Sequence, residues 1–558
     1  MMRIRLTLLC LLLLGWVAGA QTSREELLSH IELTAGNYAN YPNPTGHLTP
    51  APKGYEPFYI SHYGRHGARY QTSDKAYKRL LKGLDEALEK GLLTEYGKDV
   101  RNRIILAAYD AKDRAGKLTA LGAREHKAIA RRMYGNYPEL LSQPLEVYAN
   151  ASTSRRVIHS MENFCAELQE LNPSLSIRTD AREEDLCYIK ANKSIVVPDE
   201  PRDDELYHEL KKFRKKMMQW SPRMCSMFTD AKQVKSFIDP YTFADDLYNV
   251  AADMYCLPEL RINLDDVFGE EGMIDGFRAY NAAWCLWEGL MPGAKKSYYR
   301  VYPLLQNFLD EADAMIASGG RGVRLRFGHD SVVLPFAFVL GFPEATGATD
   351  DMEDLHNHFS IYRLIPMAAN IQLIFYRKPR SRDILVKFLM NENETSIPVR
   401  TDCYPYYHWS DVASYYRAMI QAANLEYKTP EAPQGKQKAP AVETTELFRT
   451  SQSWDGAELP DYFTGRPEIV ARKYVFPAGQ KLAWHHHPEM NFGVLVEGEL
   501  TIIGVDGKEK TIHAGEGVVE MVGTVHHGQN RGTRPAVLYM FYLAQKDMPL
   551  SIPDEVKE

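Results

Sequence analysis

Several features that would narrow the function are scarce in this sequence of 558 residues. Only seven cysteines occur and none forms a Cys-x-x-Cys pair, so a zinc–thiolate site is not expected. No internal repeat is evident, and after residue 20 no apolar run is long enough to span a bilayer. The formal charge is only −7, which gives no reason to expect nucleic acid as a partner. The length predicts two to four globular domains.

The first twenty residues predict an export signal rather than part of the fold. Arg3 and Arg5 precede an apolar run over 6–17, and Ala-Gly-Ala at 18–20 is a small-residue cleavage site. We therefore expect cleavage near Ala20 and a periplasmic or secreted protein. Six cysteines remain after cleavage, and in an exported protein they predict one or two disulfide bridges beside buried thiols.

Residues 21–427 predict an α/β sheet with a helical cap domain. Residues 21 to about 52 are polar and are interpreted as an N-terminal arm. Helical patterns cover 75–140 and 181–318, which we assign to the cap insertions. The strands are predicted at 58–60, 145–148, 323–327, 371–376 and 384–389. Strands that alternate with helices favour an α/β sheet.

Composition changes at 428–445, which is polar and rich in Pro and Lys and is predicted to be a linker. Beyond it, short strands with Gly-rich turns cover about a hundred residues, at 446–545. This rhythm is typical of an all-β barrel.

A histidine flanked by two arginines follows the first predicted strand, in the segment Arg-His-Gly-Ala-Arg at 65–69. The neutral imidazole of His66 is a competent nucleophile toward phosphorus. Guanidinium groups such as those of Arg65 and Arg69 offer paired donors to phosphate oxygens. We expect Gly67 to allow a tight turn into a helix whose first N–H groups would face the anion.

A second chemical pair, His329 and Asp330, follows the strand at 323–327. In a parallel sheet both motifs would meet at the carboxyl edge, where clefts form. Asp330 could protonate the leaving alkoxide and later help to activate water. His329 could donate to the phosphate, and Arg156, which follows another strand, could add a third guanidinium.

The segments 65–69 and 328–330 together resemble the histidine acid phosphatase family, branch two of the histidine phosphatase superfamily, over roughly residues 40–427. That branch includes phytases and multiple inositol polyphosphate phosphatases. The resemblance implies that His66 is the nucleophile and Asp330 the proton donor. It also implies that phosphate is bound by four side chains, those of Arg65, Arg69, Arg156 and His329. No cofactor is implied for this chemistry.

Two departures bear on the substrate. Tyr70 stands where many members have proline, and His-Asp-Ser at 329–331 stands where inositol polyphosphate phosphatases often carry His-Ala-Glu. Inositol phosphates and other small phosphate esters therefore both remain candidates.

A histidine cluster lies in the C-terminal region, and residues 446–545 resemble a cupin domain. The glycines at 479, 498, 515 and 523 match the spacing of the two cupin motifs. The resemblance implies metal ligands at His485, His487 and His526, and hence a divalent transition metal. Asn491 stands where the first motif usually has glutamate, and Glu489 is a possible substitute ligand. His486 and His527 are expected to point outward. The alternatives to a metal site are a barrel with a polar, metal-free pocket and a module that mediates a homodimer.

Three hypotheses for the whole chain follow. The first is a histidine phosphatase that acts on a small-molecule phosphate ester and carries an accessory cupin. The second is a metal-dependent cupin enzyme whose larger domain is a substrate-binding module. The third is a non-catalytic protein that binds phosphate esters.

Overall fold

The computed structural model describes residues 22–44, 46–196, 204–423, 425, 447–462 and 464–556. Two compact units divide the chain, residues 1–434 and 435–558. The predicted export signal at 1–20 and most of the linker at 428–445 lie outside the described residues. Among the described helices, none is both long and apolar enough for a membrane crossing.

The first unit is built on a mixed sheet of eight strands. These are β1 (Glu56–Arg65), β2 (Glu146–Ala151), β3 (Ser176–Asp180), β4 (Gly322–Gly328), β5 (Asn370–Arg377), β6 (Ile384–Met390), β7 (Asn393–Glu394) and β8 (Tyr406–His408). Their order is β3-β2-β4-β1-β5-β6-β7, with β8 also paired to β6. The strands β3, β2, β4 and β1 run parallel to one another. The remaining pairs are antiparallel: β5 with β1, β6 with β5, and both β7 and β8 with β6.

Helices surround this sheet and also form the predicted cap. They are α1 (Thr22–Ser29), α2 (Lys75–Glu89), α3 (Glu95–Ala111), α4 (Ala120–Asn136), α5 (Pro138–Leu141), α6 (Arg155–Leu171), α7 (Leu186–Ile189), α8 (Asp204–Met217), α9 (Pro222–Cys225), α10 (Ala231–Val234), α11 (Pro240–Met254), α12 (Asp265–Trp287), α13 (Tyr302–Ala317), α14 (Asp330–Leu340), α15 (Pro343–Thr346), α16 (Ile361–Leu364) and α17 (Trp409–Ala422). The predicted α/β sheet with a helical cap is confirmed.

Local sequence signals explain several of these boundaries. Thr119 caps α4, because its hydroxyl accepts a hydrogen bond from Gly122 N at 3.2 Å. In α2, Leu80 and Leu84 are fully buried, since residues four apart share one face of a helix. In β1 every residue after Glu56 is buried, as expected for a central strand that is covered on both faces.

The second unit consists of two antiparallel sheets. The strands are β9 (Pro467–Phe476), β10 (His485–His486), β11 (Asn491–Glu497), β12 (Glu499–Gly504), β13 (Glu509–His513), β14 (Gly517–Val519), β15 (His526–Gln529), β16 (Ala536–Gln545) and β17 (Ile552–Pro553). One sheet has the order β13-β12-β15-β10-β17 and the other β14-β11-β16-β9. A core of ten buried side chains, including Leu495 and Leu538, packs together in this unit. The predicted all-β fold is confirmed.

Two expectations from the sequence are wrong. The polar N-terminal segment is not a plain arm, because it forms α1 and a 3₁₀ helix, Ile31–Tyr38, whose last residues are buried. The six cysteines at 165, 187, 225, 256, 285 and 403 are all free thiols, so the expected disulfide bridges do not form. Several of these thiols lie inside the apolar core, where they act as small hydrophobic side chains.

Candidate active site

Three parallel strands bring the site together at their carboxyl ends. The last residue of β1, Arg65, pairs with Gly328 of β4, and Ala151 at the end of β2 pairs with Phe327. The next residues along the chain, His66, Ser152 and His329, therefore leave the same edge of the sheet. The expectation that the two motifs share this edge is confirmed, and a cleft at such an edge is the usual position of a ligand site.

The imidazole of His66 is buried, with 2% of the residue exposed. Its Nδ1–H donates to the carbonyl oxygen of Gly67 at 2.9 Å, which fixes the tautomer and leaves Nε2 as an unprotonated nitrogen. Burial first, and then the guanidinium groups of Arg65 and Arg156, hold the pKa of His66 well below its usual value. The residue is therefore neutral, as a nucleophile toward phosphorus must be.

Gly67 serves a different purpose from the one the sequence suggested. No helix begins after it, since the next helix starts at Lys75. A Cβ on Gly67 would lie 2.5 Å from the carbonyl oxygen of Gly122, and a Cβ on Gly122 would lie 2.3 Å from the carbonyl oxygen of Ala68. The two glycines thus permit close backbone packing between the histidine loop and the start of α4.

Three guanidinium groups belong to the site. Arg65 has no solvent exposure, and its Nη2 lies 2.8 Å from Oδ2 of Asp330. Arg69 donates to the hydroxyl of Tyr38 at 3.1 Å and lies over the ring of that tyrosine. Arg156 lies in the first turn of α6, and its Nη2 is 3.5 Å from Nδ1 of His329. Burial, and then the charge of Arg69, lowers the pKa of Arg156 to about 10, which leaves it a cation at acid and neutral pH.

His329 lies between the end of β4 and the first residue of α14. Its Nε2 and the hydroxyl oxygen of Ser152 are 3.0 Å apart, and its backbone N–H donates to the hydroxyl of Tyr63 at 3.3 Å. The His329 and His66 rings are nearly perpendicular, with centroids 5.8 Å apart. Burial, followed by the charge of Arg156, lowers the pKa of His329, so it can donate one hydrogen bond as a neutral imidazole.

Asp330 is the first residue of α14, and its side chain is 15% exposed. Besides the ion pair with Arg65, its Oδ2 accepts a hydrogen bond from Nδ2 of Asn37 at 3.2 Å. Burial raises the pKa of this carboxyl, but the charges of Arg65 and Arg69 together with the Asn37 bond outweigh it and leave the pKa below its usual value.

The structure therefore places His66, Asp330, Arg65, Arg69, Arg156 and His329 in one site. Sequence reasoning missed Asn37 and Tyr38, which reach it from the segment interpreted as an arm, and Ser152. It also missed Glu125 of α4, whose carboxylate accepts from the backbone N–H of Ala68 at 2.7 Å and holds the histidine loop. No motif marked these residues, because they come from separate parts of the chain.

In the second unit, three imidazoles converge. The ligand atoms of His485, His487 and His526 all lie within 4.8 Å of one another. The Nδ1 atom of each ring faces a backbone carbonyl oxygen at 2.6–2.8 Å, so every Nε2 is left free to bind another group. Glu520 was not foreseen: its Oε2 lies 3.0 Å from Nε2 of His487 and 3.8 Å from Nε2 of His526.

The neighbouring histidines take other partners. His486 contacts Asp554, with Nδ1 and Oδ2 2.7 Å apart, and lies outside the three-histidine group as expected. His527 also lies outside the three-histidine group, where it is 5% exposed and packs against the ring of Trp484.

Comparison with known proteins agrees with this geometry. The model of the histidine phosphatase superfamily (branch 2) matches residues 64–268 and 297–391, more than half of the chain and both halves of the site. The chain belongs to the histidine phosphatase superfamily, branch 2. The model of the cupin domain matches residues 472–542. As a branch 2 enzyme, the protein is a phosphomonoester hydrolase, and neither alternative hypothesis is favoured.

Solved structures resemble the phosphatase unit. The multiple inositol polyphosphate phosphatase of Bifidobacterium longum, in complex with inositol hexasulfate, is 21% identical, with a TM-score of 0.59. The match covers 69% of this chain and 98% of that one. The phytase of D. castellii is 16% identical, with a TM-score of 0.54, over 70% of this chain and 85% of that one. Among curated proteins, none matches the chain significantly.

Proposed function

We propose that this phosphatase hydrolyses inositol polyphosphates and related small phosphomonoesters through a phosphohistidine formed on His66, with Asp330 as the proton donor. One observation carries the proposal: the hydrogen bond from His66 Nδ1 to Gly67 O leaves Nε2 unprotonated beside three guanidinium groups. Phosphoryl transfer depends mainly on positioning and on positive charge around the transferred oxygens.

In the first step, Nε2 of His66 attacks phosphorus and the bond between phosphorus and the ester oxygen breaks. Arg65, Arg69, Arg156 and His329 bind the phosphoryl oxygens. Protonated Asp330 gives its proton to the departing alkoxide, which leaves as an alcohol. A dianionic ester that enters beside Asp330 raises the pKa of this carboxyl, because like charges oppose its ionisation. The bound substrate thus favours the protonated form of Asp330 that the step requires.

In the second step, the Asp330 carboxylate accepts a proton from water as that water attacks the phosphohistidine. The N–P bond breaks, inorganic phosphate forms, and His66 returns to its neutral state. The same carboxyl acts first as acid and then as base, so the proton balance closes over the cycle.

Inositol polyphosphates are proposed because Arg65, Arg69 and Arg156 are buried or half-buried at the site and Asp330 is ion-paired with Arg65, which leaves guanidinium charge for a polyanion. The inositol hexasulfate complex of the Bifidobacterium longum enzyme supports this substrate class. Phosphate release from inositol hexakisphosphate, a sugar phosphate and a nucleotide, compared by kcat/KM, tests it. Higher values for the sugar phosphate and the nucleotide would overturn this part of the proposal.

His66→Ala tests the mechanism. Hydrolysis of a chromogenic phosphomonoester should fall by at least about a thousandfold, because the covalent route is lost. His159→Ala is the matched control, since His159 lies exposed on α6. Rapid acid-free quenching should trap a phosphoenzyme in wild type and in His159→Ala but not in His66→Ala. Equal activity in both variants would contradict the assignment of the nucleophile.

We further propose that the cupin unit binds a divalent transition metal through His485, His487 and His526. A backbone carbonyl oxygen holds the Nδ1 atom of each ring, so the Nε2 atoms remain available to an ion, which fits a metal site. The ion would supply Lewis-acid chemistry when bound. Chelation should leave phosphatase activity unchanged, because no step at His66 uses a metal.

Export and assembly complete the proposal. Export rests on the leader-like pattern at 1–20 and is tested by the N-terminal residue and compartment of the mature protein.

A homodimer through the cupin unit is supported by apolar side chains exposed on one face of β9 and β16, namely Ile469, Val475, Tyr539 and Phe541. Light scattering should report a dimer for wild type and a monomer for Phe541→Glu; a monomeric wild type would refute it.

A further inference from the structure

Glu520 is a buried carboxylate that faces the three-histidine group of the cupin unit. Its side chain is 11% exposed, and its Oε2 lies 3.0 Å from Nε2 of His487 and 3.8 Å from Nε2 of His526. These two imidazole nitrogens are themselves buried. The carboxylate thus lies beside two of the three imidazoles of the group.

The separations suit ligands of a single ion. Ligand atoms about 2.1 Å from a metal lie about 3.0 Å apart at right angles and about 3.4 Å apart at the tetrahedral angle. The two distances from Glu520 Oε2 bracket these values, and the ligand atoms of the three histidines lie within 4.8 Å of one another. A small closure of the four side chains would complete the coordination.

The position of Glu520 also accounts for the missing carboxylate at Asn491. The backbone N–H of Glu520 donates to the carbonyl oxygen of Asn491 at 3.2 Å, just beyond the pairing of β11 with β14. The two residues are thus neighbours on adjacent chain segments. A side chain from either segment can reach the same region, and here the acidic one stands on the second segment.

The site borders an open cavity of about 280 Å³, whose lining includes His485, His487, Glu520 and Tyr542. Water or another small oxygen donor could reach an ion held by these residues from this cavity.

We propose that Glu520 is the fourth protein ligand of the cupin metal site, with His485, His487 and His526, in place of the first-motif residue Asn491. The proposal rests on the metal binding proposed above. The ligand set of three nitrogens and one anionic oxygen suits first-row divalent ions, including Mn²⁺ and Co²⁺.

The test uses full-length protein stripped with chelator and titrated with Co²⁺ and with Mn²⁺ by calorimetry. Glu520→Gln should weaken Co²⁺ binding by at least about tenfold, because loss even of an outer partner costs that much. The loss should be larger for Mn²⁺, which prefers oxygen ligands. Glu489→Gln, which removes the other acidic candidate of this region, is the matched control and should bind both ions like wild type.

The outcomes separate the two proposals. Wild type that binds neither ion refutes the metal site itself. Wild-type binding with unchanged affinity in Glu520→Gln, or a loss confined to Glu489→Gln, overturns the role of Glu520. A lower melting temperature of metal-free Glu520→Gln with unchanged Co²⁺ affinity would make the carboxylate a structural ion-pair partner and would also overturn it.

A diffraction measurement on wild type avoids dependence on the variant's folding. Anomalous maps of the Co²⁺ complex should place a carboxylate oxygen of Glu520 within about 2.2 Å of the ion. An ion bound by the histidines with Glu520 more than about 3 Å away would contradict the proposal.

Discussion

Nη2 of Arg65 lies 2.8 Å from Oδ2 of Asp330, so the proposed phosphate-binding group and the proposed proton donor contact each other directly. The ion pair stabilises the carboxylate and so opposes the protonated form that the first step requires. A bound phosphate competes for the same guanidinium and adds negative charge, and both effects favour protonation of Asp330. In the proposed mechanism, binding of the ester therefore favours the protonated form of Asp330 that the first step requires.

Asp330→Asn should separate esters by their leaving groups. An amide cannot give up a proton, so hydrolysis of esters with poor leaving groups should fall by about a thousandfold or more, whereas activated aryl esters should lose less in the formation of the phosphoenzyme. Single-turnover kinetics on an alkyl and a nitrophenyl ester measure this. Equal losses for both esters would argue against Asp330 as the acid.

Asn37→Ala should shift the pH profile toward higher pH. The Asn37 hydrogen bond favours the charged form of Asp330 and lowers its pKa, so its loss raises that pKa. The donor then stays protonated to higher pH, and the alkaline limb of kcat should move to higher pH. Asn40→Ala, an exposed position nearby, should leave the limb in place. A downward shift in Asn37→Ala would contradict the argument.

Arg156→Ala should weaken phosphate binding in both the ground state and the transition state. A charge-assisted pair is worth roughly 2–3 kcal/mol, so kcat/KM should fall by about a hundredfold. Arg155 is exposed and precedes Arg156 in α6, so Arg155→Ala should change kcat/KM by less than about twofold. Inhibition by inorganic phosphate gives an independent readout. Similar losses in the two variants would refute the choice of Arg156.

Asp253 should make the phosphatase unit more stable in mild acid. Burial raises its pKa from 3.8 to about 7, against the opposing charge of Arg69 and a hydrogen bond from Gln71 N. Because the folded state holds this proton more tightly than the unfolded chain, the stabilisation is complete below about pH 4 and is lost as pH rises through about 7.

The difference is about 4 kcal/mol over this range, and Asp253→Asn should remove it. Urea unfolding of wild type and variant at about pH 5 and about pH 7.5 measures the effect. An unchanged pH slope in Asp253→Asn would show that another group is responsible.

The sequence by itself determined the fold class, the two units and the principal side chains of both candidate sites. His66 and Asp330 could be found because each follows an apolar strand, and parallel strands deliver their ends to one edge. The three cupin histidines could be found from their alternation and spacing. The segment 65–69 also contains Arg65 and Arg69, the two guanidinium groups that flank His66.

Only the tertiary structure decided which distant groups join them. Asn37 reaches Asp330 across nearly three hundred residues of sequence, and Glu125 reaches the histidine loop from α4. Glu520 faces His487 although no motif required acid there. Local patterns record periodicity and backbone preference, whereas these contacts depend on how separate elements pack. For the same reason, the role of Gly67 was misread: its constraint is the backbone of Gly122, which no local pattern reveals.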